Sequence, residues 1–386
     1  MRRVYFDNSA TTPVLPEVFE AMRPYFGERF GNASSIHSHG QETRGAVERA
    51  RELVAALLGC RASEVVFTSG GTEADNLAIF GIAGEGDHVI TSTVEHHAVL
   101  NTCKELESQG CEVTYLPVDG CGCLDPDDVR RALRPATKLI TIMMANNETG
   151  VLQPMQEIGK VAAEADVYFH TDAVQAAGKI PLNVKSVRCN LMSISGHKIH
   201  GPQGVGALYV QKGTELHPMM YGGRHERSRR AGTENVPGIV GLGKAAELAR
   251  AGLEKGVSQK LAGMRDRIER TLLQTELSAV NGGAAVRVPN ITNLRFDALE
   301  GEALVIALDL KGLAVSTGAA CSSGAIEPSH VLLAMGVTAD RARASIRISL
   351  GTQNTEDEVE FASGLIVETV ARLRELSPVW RAAVST

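Results

Sequence analysis

Between residues 65 and 210 the chain alternates short β-branched or apolar runs with helix-length amphipathic stretches, and this alternation restricts the fold more than any other feature. The runs 65–67, 88–92, 112–116, 138–144, 167–171, 191–194 and 206–210 have the length and residue types of strands. Residues 69–82, 98–109, 126–133 and 156–165 carry the helical patterns between them. Strands joined by helical crossovers of this length predict an α/β fold: a doubly wound, mostly parallel sheet covered on both faces.

The flanks differ from the middle. A helical pattern over 16–26 and a longer helix over 40–58 precede the alternation. Pro237 opens a long helical region to about residue 273, and then the pattern changes to a strand (291–296), a helix (301–310), a strand (346–349) and a helix (355–373). With 386 residues, two domains are expected: a large α/β domain over 13–254 and a smaller α+β domain over 255–386. Residues 1–12, with a short strand at 4–6, are expected to pack on the smaller one.

Charge and cysteine usage exclude several functions. The net charge of −6 does not suit direct nucleic-acid binding as the main activity. No run of about 18 apolar residues suggests a membrane span, and the N-terminus reaches Asp7 before any apolar run that would read as a signal peptide. Seven scattered cysteines argue against a disulfide framework and for a cytoplasmic location. Cys121-Gly122-Cys123, with Cys111 nearby, lacks the second close pair that a four-ligand metal site needs.

Ligands of open α/β sheets bind beyond the carboxyl ends of the strands, and four of those ends carry notable residues. Lys198 lies in Ser195-Gly196-His197-Lys198, on the loop leaving the 191–194 run; a lysine there is a surface charge or an amine nucleophile toward a carbonyl cofactor. Ser69-Gly70-Gly71-Thr72-Glu73 stands between a strand and a helix, where it is a plain cap or a phosphate cradle. Asp172 ends a strand, as a helix cap or as the partner of a protonated ring nitrogen. His96, in Glu95-His96-His97, is a cap, a metal ligand or a ring that stacks on a flat cofactor. Taken together the four describe a site for pyridoxal phosphate, with Lys198 as the Schiff-base lysine and Asp172 as the pyridinium partner. Two competing motifs fail. In the near P-loop 238–245, Ala245 replaces the Ser/Thr that would hold Mg²⁺ and no strand precedes it. Ser195-x-x-Lys198 has neither the S-D-N nor the K-T-G partner of acyl-transfer enzymes.

Seven motifs extend the pattern across nearly the whole chain: 7–13 (DNSATTP), 68–76 (TSGGTEADN), Asn146-Asn147-Glu148, 170–175 (HTDAVQ), 195–198 (SGHK), 231–235 (AGTEN) and 316–321 (STGAAC). In this order they resemble the cysteine desulfurases of the NifS/IscS type. The resemblance implies the fold type I architecture of the class V aminotransferase branch, and a homodimer with sites at the subunit interface. It implies that Lys198 carries the cofactor and Asp172 meets its ring nitrogen. His96 would stack on the ring and assist proton transfer, Gly71, Thr72, Ser195 and His197 would hold the phosphate, and Thr233 would reach it from the other subunit. Asn147 and Gln175 would bond the ring substituents, while Arg347 and Asn8 would bind substrate. Cys321, in a Gly/Ser-rich stretch, would take sulfur from L-cysteine as a persulfide, release alanine, and pass the sulfur to acceptors in iron–sulfur cluster assembly or tRNA thiolation. The implied partners are an iron–sulfur scaffold or another sulfur-acceptor protein. No metal is expected, save Cys321 as a cluster ligand within a scaffold complex. A selenocysteine lyase or a plain aminotransferase of the same fold stays open at this point, as does a PLP-fold protein kept only as a scaffold-binding partner.

Overall fold

The computed structural model describes residues 2–317, 327–377 and 380. In chain order its strands are β1 (Val4–Tyr5), β2 (Val65–Thr68), β3 (His88–Ser92), β4 (Glu112–Leu116), β5 (Thr137–Thr141), β6 (Tyr168–Asp172), β7 (Leu191–Ser195), β8 (Gly206–Val210), β9 (Ser278–Val280), β10 (Ile291–Phe296), β11 (Leu313–Ala314), β12 (Ser316–Thr317) and β13 (Ser345–Ser349). Seven form one sheet in the order β2-β8-β7-β6-β5-β3-β4. The strands from β7 to β4 are mutually parallel, and only β8 runs against its neighbours β7 and β2. The sheet is therefore mostly parallel, as the alternation predicts.

The direction of β8 has a local cause. Its connection to β7, residues 196–205, is shorter than the dozen or so residues that a parallel crossover needs, so the chain turns back antiparallel. The close approach that follows requires glycine. A Cβ on Gly206 would lie 2.7 Å from the Gly70 backbone and from the Ile194 carbonyl oxygen.

Side chains alternate across this sheet with the two-residue period of a strand. Ile90, Ile140, Phe169 and Met192 enter one core with the helix Ser38–Leu58. Val89, Leu139 and Leu191 enter a second core on the other face, with the helix Gly71–Phe80. Covering both faces this way is what makes near-continuous apolar strands affordable only in a doubly wound sheet.

A third core lies around the antiparallel sheet β12-β13-β10-β9 and the helices Val257–Leu272, Gly301–Leu310 and Glu356–Leu376. The N-terminal segment joins it: β1 pairs parallel with β11, and Val4 and Phe6 are buried among its side chains. The long helical region opened by Pro237 is two helices, Val236–Glu254 and Val257–Leu272, separated where Gly256 adopts φ +78°. A left-handed residue cannot continue an α-helix, and glycine takes that conformation at little cost. Strands β9, β11 and β12 are two or three residues long, below the length at which a period can be read. Among the described residues no helix is long and apolar enough to cross a membrane.

Candidate active site

The chain leaves β3 for β4 on one side and returns to β5 on the other, which opens a crevice at the carboxyl ends of the strands. A cavity of about 400 Å³ lies there, lined by Lys198, Asp172, His96, Asn147, Gln175, Ser195, His197, Gly71, Thr72 and Arg347. Residues as far apart in sequence as Gly71 and Arg347 thus meet in one place. Ser9, Ala10, Asp75, Met143 and Val174 complete the lining.

Lys198 ends the single 3₁₀ turn Gly196–Lys198 that follows β7. Its Nζ donates to the carbonyl oxygens of Ser9 (2.5 Å) and Ala10 (2.7 Å), so the N-terminal segment forms one wall around the amine. Buried Lys179 supports the turn from below, its Nζ donating to the Lys198 carbonyl at 2.7 Å. Burial, and then the charge of Lys198, bring the Lys179 ammonium down to about 8.

Under the cavity lies a layer of buried acids. Asp172 accepts a hydrogen bond from the Val174 N–H (2.8 Å), yet burial outweighs this bond and the Lys198 charge and pushes its carboxyl up to about 6. Asp75 is held well above the usual carboxylate range by burial and by the neighbouring Asp172. Glu95 accepts from the Ser92 hydroxyl (2.6 Å) and the Met143 N–H (2.9 and 3.0 Å), and burial raises it to about 8. His170 stands among them, its Nδ1 2.8 Å from Thr141 Oγ1 and its Nε2 2.9 Å from Ser193 Oγ. Burial lowers it to about 3, so its ring is neutral at neutral pH.

One end of the cavity suits an anion. The helix Gly71–Phe80 starts there, presenting unpaired N–H groups and the positive end of its dipole. Gly71 has no room for a side chain, because a Cβ would sit 2.8 Å from Val174 Cγ2. Glu73 fixes this helix start by accepting from the Ser69 N–H (2.7 Å) and pairing with Arg230 at 2.8 and 3.2 Å. Ser195 and His197 add a hydroxyl and an imidazole; burial and Lys198 lower His197 to about 4. His96 caps the helix His97–Ser108, its Nδ1 accepting from the Ala98 N–H at 3.1 Å, which leaves the proton of the neutral ring on Nε2. Burial, then the charge of Lys198, lowers it to about 4, so a flat neutral ring borders the cavity.

At the opposite end, Arg347 lies in the middle of β13. Its Nη1 donates to the Asn147 carbonyl (3.0 Å), its Nη2 pairs with Asp7 (2.8 Å), and its buried Nε has no partner among the described residues. The buried Ser9 Oγ, which also lines the cavity, likewise lacks a partner among the described residues, whereas Asp75 Oδ1 lies 3.6 Å from His170 Nε2. An anion cradle, a neutral flat ring, a buried carboxyl and unpaired polar atoms around one lysine are the donor set that pyridoxal phosphate requires, so the residues present fit that group.

Two expected residues, Asn8 and Thr233, are not among the residues that line the cavity. Asn8 Nδ2 donates to the Ser349 carbonyl (2.9 Å) and its Oδ1 accepts from Gln353 (3.1 Å), so it fastens the N-terminal segment to β13 and places Ser9 and Ala10. Thr233 is exposed and outside the cavity lining. Cys321 lies outside the described residues. The sequence reading missed Asp7 as the partner of Arg347, and Lys179 as the support of the lysine turn. Only the polar cluster after the first strand hinted at Asp7, and nothing local distinguishes Lys179.

Residues 4–361 match the family described as Aminotransferase class-V. The chain is 51% identical over 382 residues to "Cysteine desulfurase IscS" of Methanosarcina thermophila, an alignment covering 98% of this chain and 94% of that protein. A solved structure described as "NIFS-LIKE PROTEIN" superimposes with a TM-score of 0.90 at 37% identity, covering 96% of this chain and all of the other. A second, "SspA in complex with cysteine", matches with a TM-score of 0.81 at 37% identity, covering 92% of this chain and all of the other.

Proposed function

On the premise that the chain belongs to the class-V aminotransferase family and, within it, to the cysteine desulfurases, we propose that it removes sulfur from L-cysteine, releases L-alanine and holds the sulfur as a persulfide on Cys321. The observation that carries this reading is the single cavity in which Lys198, Asp172, His96 and Arg347 converge. Pyridoxal phosphate, when bound as a Schiff base to Lys198, supplies the electron sink for breaking bonds at the substrate's Cα and Cβ.

The residues divide the remaining work. Gly71, Thr72, Ser195 and His197 would hold the cofactor phosphate, joined by Thr233 of the partner subunit. Asn147 and Gln175 would bond the ring substituents, and Asp172 would keep the proton on the ring nitrogen. His96 would supply the flat neutral ring beside the cofactor. Arg347 takes the substrate carboxylate through a guanidinium whose Nε is unpaired among the described residues. Lys198 would hold the cofactor and carry the Cα proton, in a pocket walled by the Ser9 and Ala10 carbonyls that its Nζ meets here. The Cys321 thiolate attacks the substrate sulfur: an S–S bond forms, the C–S bond breaks, and its electron pair is protonated to give the methyl group of alanine.

A homodimer is supported by the exposed apolar side chains Phe30, Ile36 and Tyr221 on neighbouring segments, where Ser34 Oγ lies 3.5 Å from His225 Nδ1. The adjoining arginine-rich loop is anchored through a buried Arg51–Glu226 pair at 2.7 Å, which suits a wall of a subunit interface. The sulfur acceptor is an iron–sulfur scaffold or another sulfur-carrying protein, and a cytoplasmic location accords with six free cysteines among the described residues. Cys321→Ala tests the central step. The variant should keep the cofactor absorbance and lose alanine formation from cysteine; unchanged turnover would refute the persulfide.

A further inference from the structure

The stretch that contains Cys321 is bounded on both sides by residues tied to one guanidinium. On the near side, β12 pairs antiparallel with β13, and Ser316 stands opposite Arg347 in that register. On the far side, Ser329 follows Cys321 by eight residues and begins the helix His330–Ala334. Its hydroxyl works in both directions: it accepts from the Leu332 N–H (3.2 Å) as the helix cap and donates to Glu148 Oε2 (2.5 Å). Glu148 comes directly after Asn147, whose carbonyl receives Arg347 Nη1. The next residue, His330, places its Nε2 3.0 Å from the Glu95 carbonyl, one position before His96.

Glu148 is an unusual residue to bury. It is 4% exposed, and a carboxylate at that depth is costly without partners. Its environment supplies the Ser329 hydroxyl and the field of Arg347, and burial still raises it to about 7. Its backbone is equally committed: the N–H donates to Asn146 Oδ1 (2.9 Å) and the carbonyl accepts from Asn293 (3.3 Å), which in turn is bonded to Asn281. A rigid backbone around a buried acid that touches one loop-end hydroxyl has the form of a fixed post. None of the roles assigned above uses it.

We propose that Glu148 is a positioning residue: by holding Ser329 it fixes the chain on the far side of Cys321, one residue from the Asn147 carbonyl that holds Arg347. The inference rests on the assignment of Cys321 as the sulfur acceptor. The same short segment, residues 147–148, then holds both the guanidinium that orients the substrate and the far end of the chain that brings the thiol. Sulfur transfer is sensitive to such placement, since a displacement of about 1 Å can cost on the order of a hundredfold in rate.

The test compares Glu148→Ala, Glu148→Gln, Ser329→Ala and the Glu148→Ala/Ser329→Ala double variant of the cofactor-loaded enzyme. Binding of cysteine, read from the change in cofactor absorbance, should stay within about twofold of the parent, because substrate recognition is left in place. Persulfide formation on Cys321, followed by mass spectrometry, should slow by roughly tenfold to a hundredfold in both alanine variants. The double variant should be no slower than the worse single one, since both remove one bond. Glu148→Gln should recover much of the rate, because its amide oxygen can still accept from Ser329. Unchanged persulfide formation in Ser329→Ala, or losses that multiply in the double variant, would overturn the proposal; if Glu148→Ala does not fold, Ser329→Ala and Glu148→Gln decide by the same measurements. A parent enzyme that never forms the Cys321 persulfide would instead refute the underlying functional assignment.

Discussion

The two ends of the cavity are built by different means. The end that holds Lys198, Asp172 and His96 is assembled from residues lying at, or a few positions beyond, the ends of the parallel strands β7, β6 and β3, so the sheet itself spaces them. The end that holds Arg347 is a joint among distant segments: Asp7 from the N-terminus, Asn147 after β5, and β13 near residue 347. Geometry carried by a hydrogen-bonded sheet survives the loss of one side chain. Geometry carried by a joint depends on each side chain in it. Chemistry and stability should therefore be separable at the first end and entangled at the second.

The largest effect is expected at the sheet end. Lys198→Ala should lower the rate of alanine release from cysteine by roughly a thousandfold or more, since it removes both the covalent anchor and the proton carrier. Its thermal unfolding should stay cooperative, because the strands around it are untouched; near-parental turnover would place the chemistry elsewhere. Arg347→Lys should cost about a hundredfold in kcat/KM, mostly through KM, because an ammonium cannot make the two-pronged contact with a carboxylate. The same variant should also lower Tm, as the contacts to Asn147 and Asp7 are disturbed. An unchanged Tm would break the contrast between the two ends.

The smallest effect concerns pH. His170 is held neutral by burial, with its pKa lowered to about 3, whereas in the unfolded chain a histidine takes its proton near 6.5. The unfolded state therefore binds more protons as the pH falls below about 6.5, and the stabilising contribution present above that value is lost progressively toward the folded pKa. From pH 7 to pH 4 the Tm of His170→Asn should gain on that of the parent, while the raised acids Glu95, Glu148 and Asp172 act in the opposite sense in both proteins. No such gain in the variant would assign the acid sensitivity to His96, His197 and His200, all lowered to about 4 by burial in the first place.

The difference between the ends also explains what could be read from the chain. Lys198, Asp172 and His96 were legible because a strand pattern announces where its carboxyl end lies, and a reactive residue at that place stands out. The parallel order of β3 to β7 was legible for the same reason. The reversal of β8 was not, because its residues alternate in the same way whichever direction the strand runs, and only the short connection and the Gly206–Gly70 contact decide it. Arg347 was recognisable through the family resemblance, but its partner Asp7 lies 340 positions away and no local pattern links them. Glu148 could be quoted as part of a motif without its burial or its bond to Ser329 being visible. Asn8 stands beside residues that line the cavity, while its own side chain turns into the joint with Ser349, which no local pattern reveals.

The wall formed by Ser9 and Ala10 has a consequence for biosynthesis. These residues leave the ribosome before the large sheet, yet the segment that carries them is held by β11 and by Ser349, which are made more than three hundred residues later. At about 5–20 residues per second, the large sheet can form many seconds before its lysine acquires a roof. Nascent chains halted before residue 310 should therefore display a folded sheet before the wall beside Lys198 is fastened, and the chamber would close only once β11 and β13 have been made.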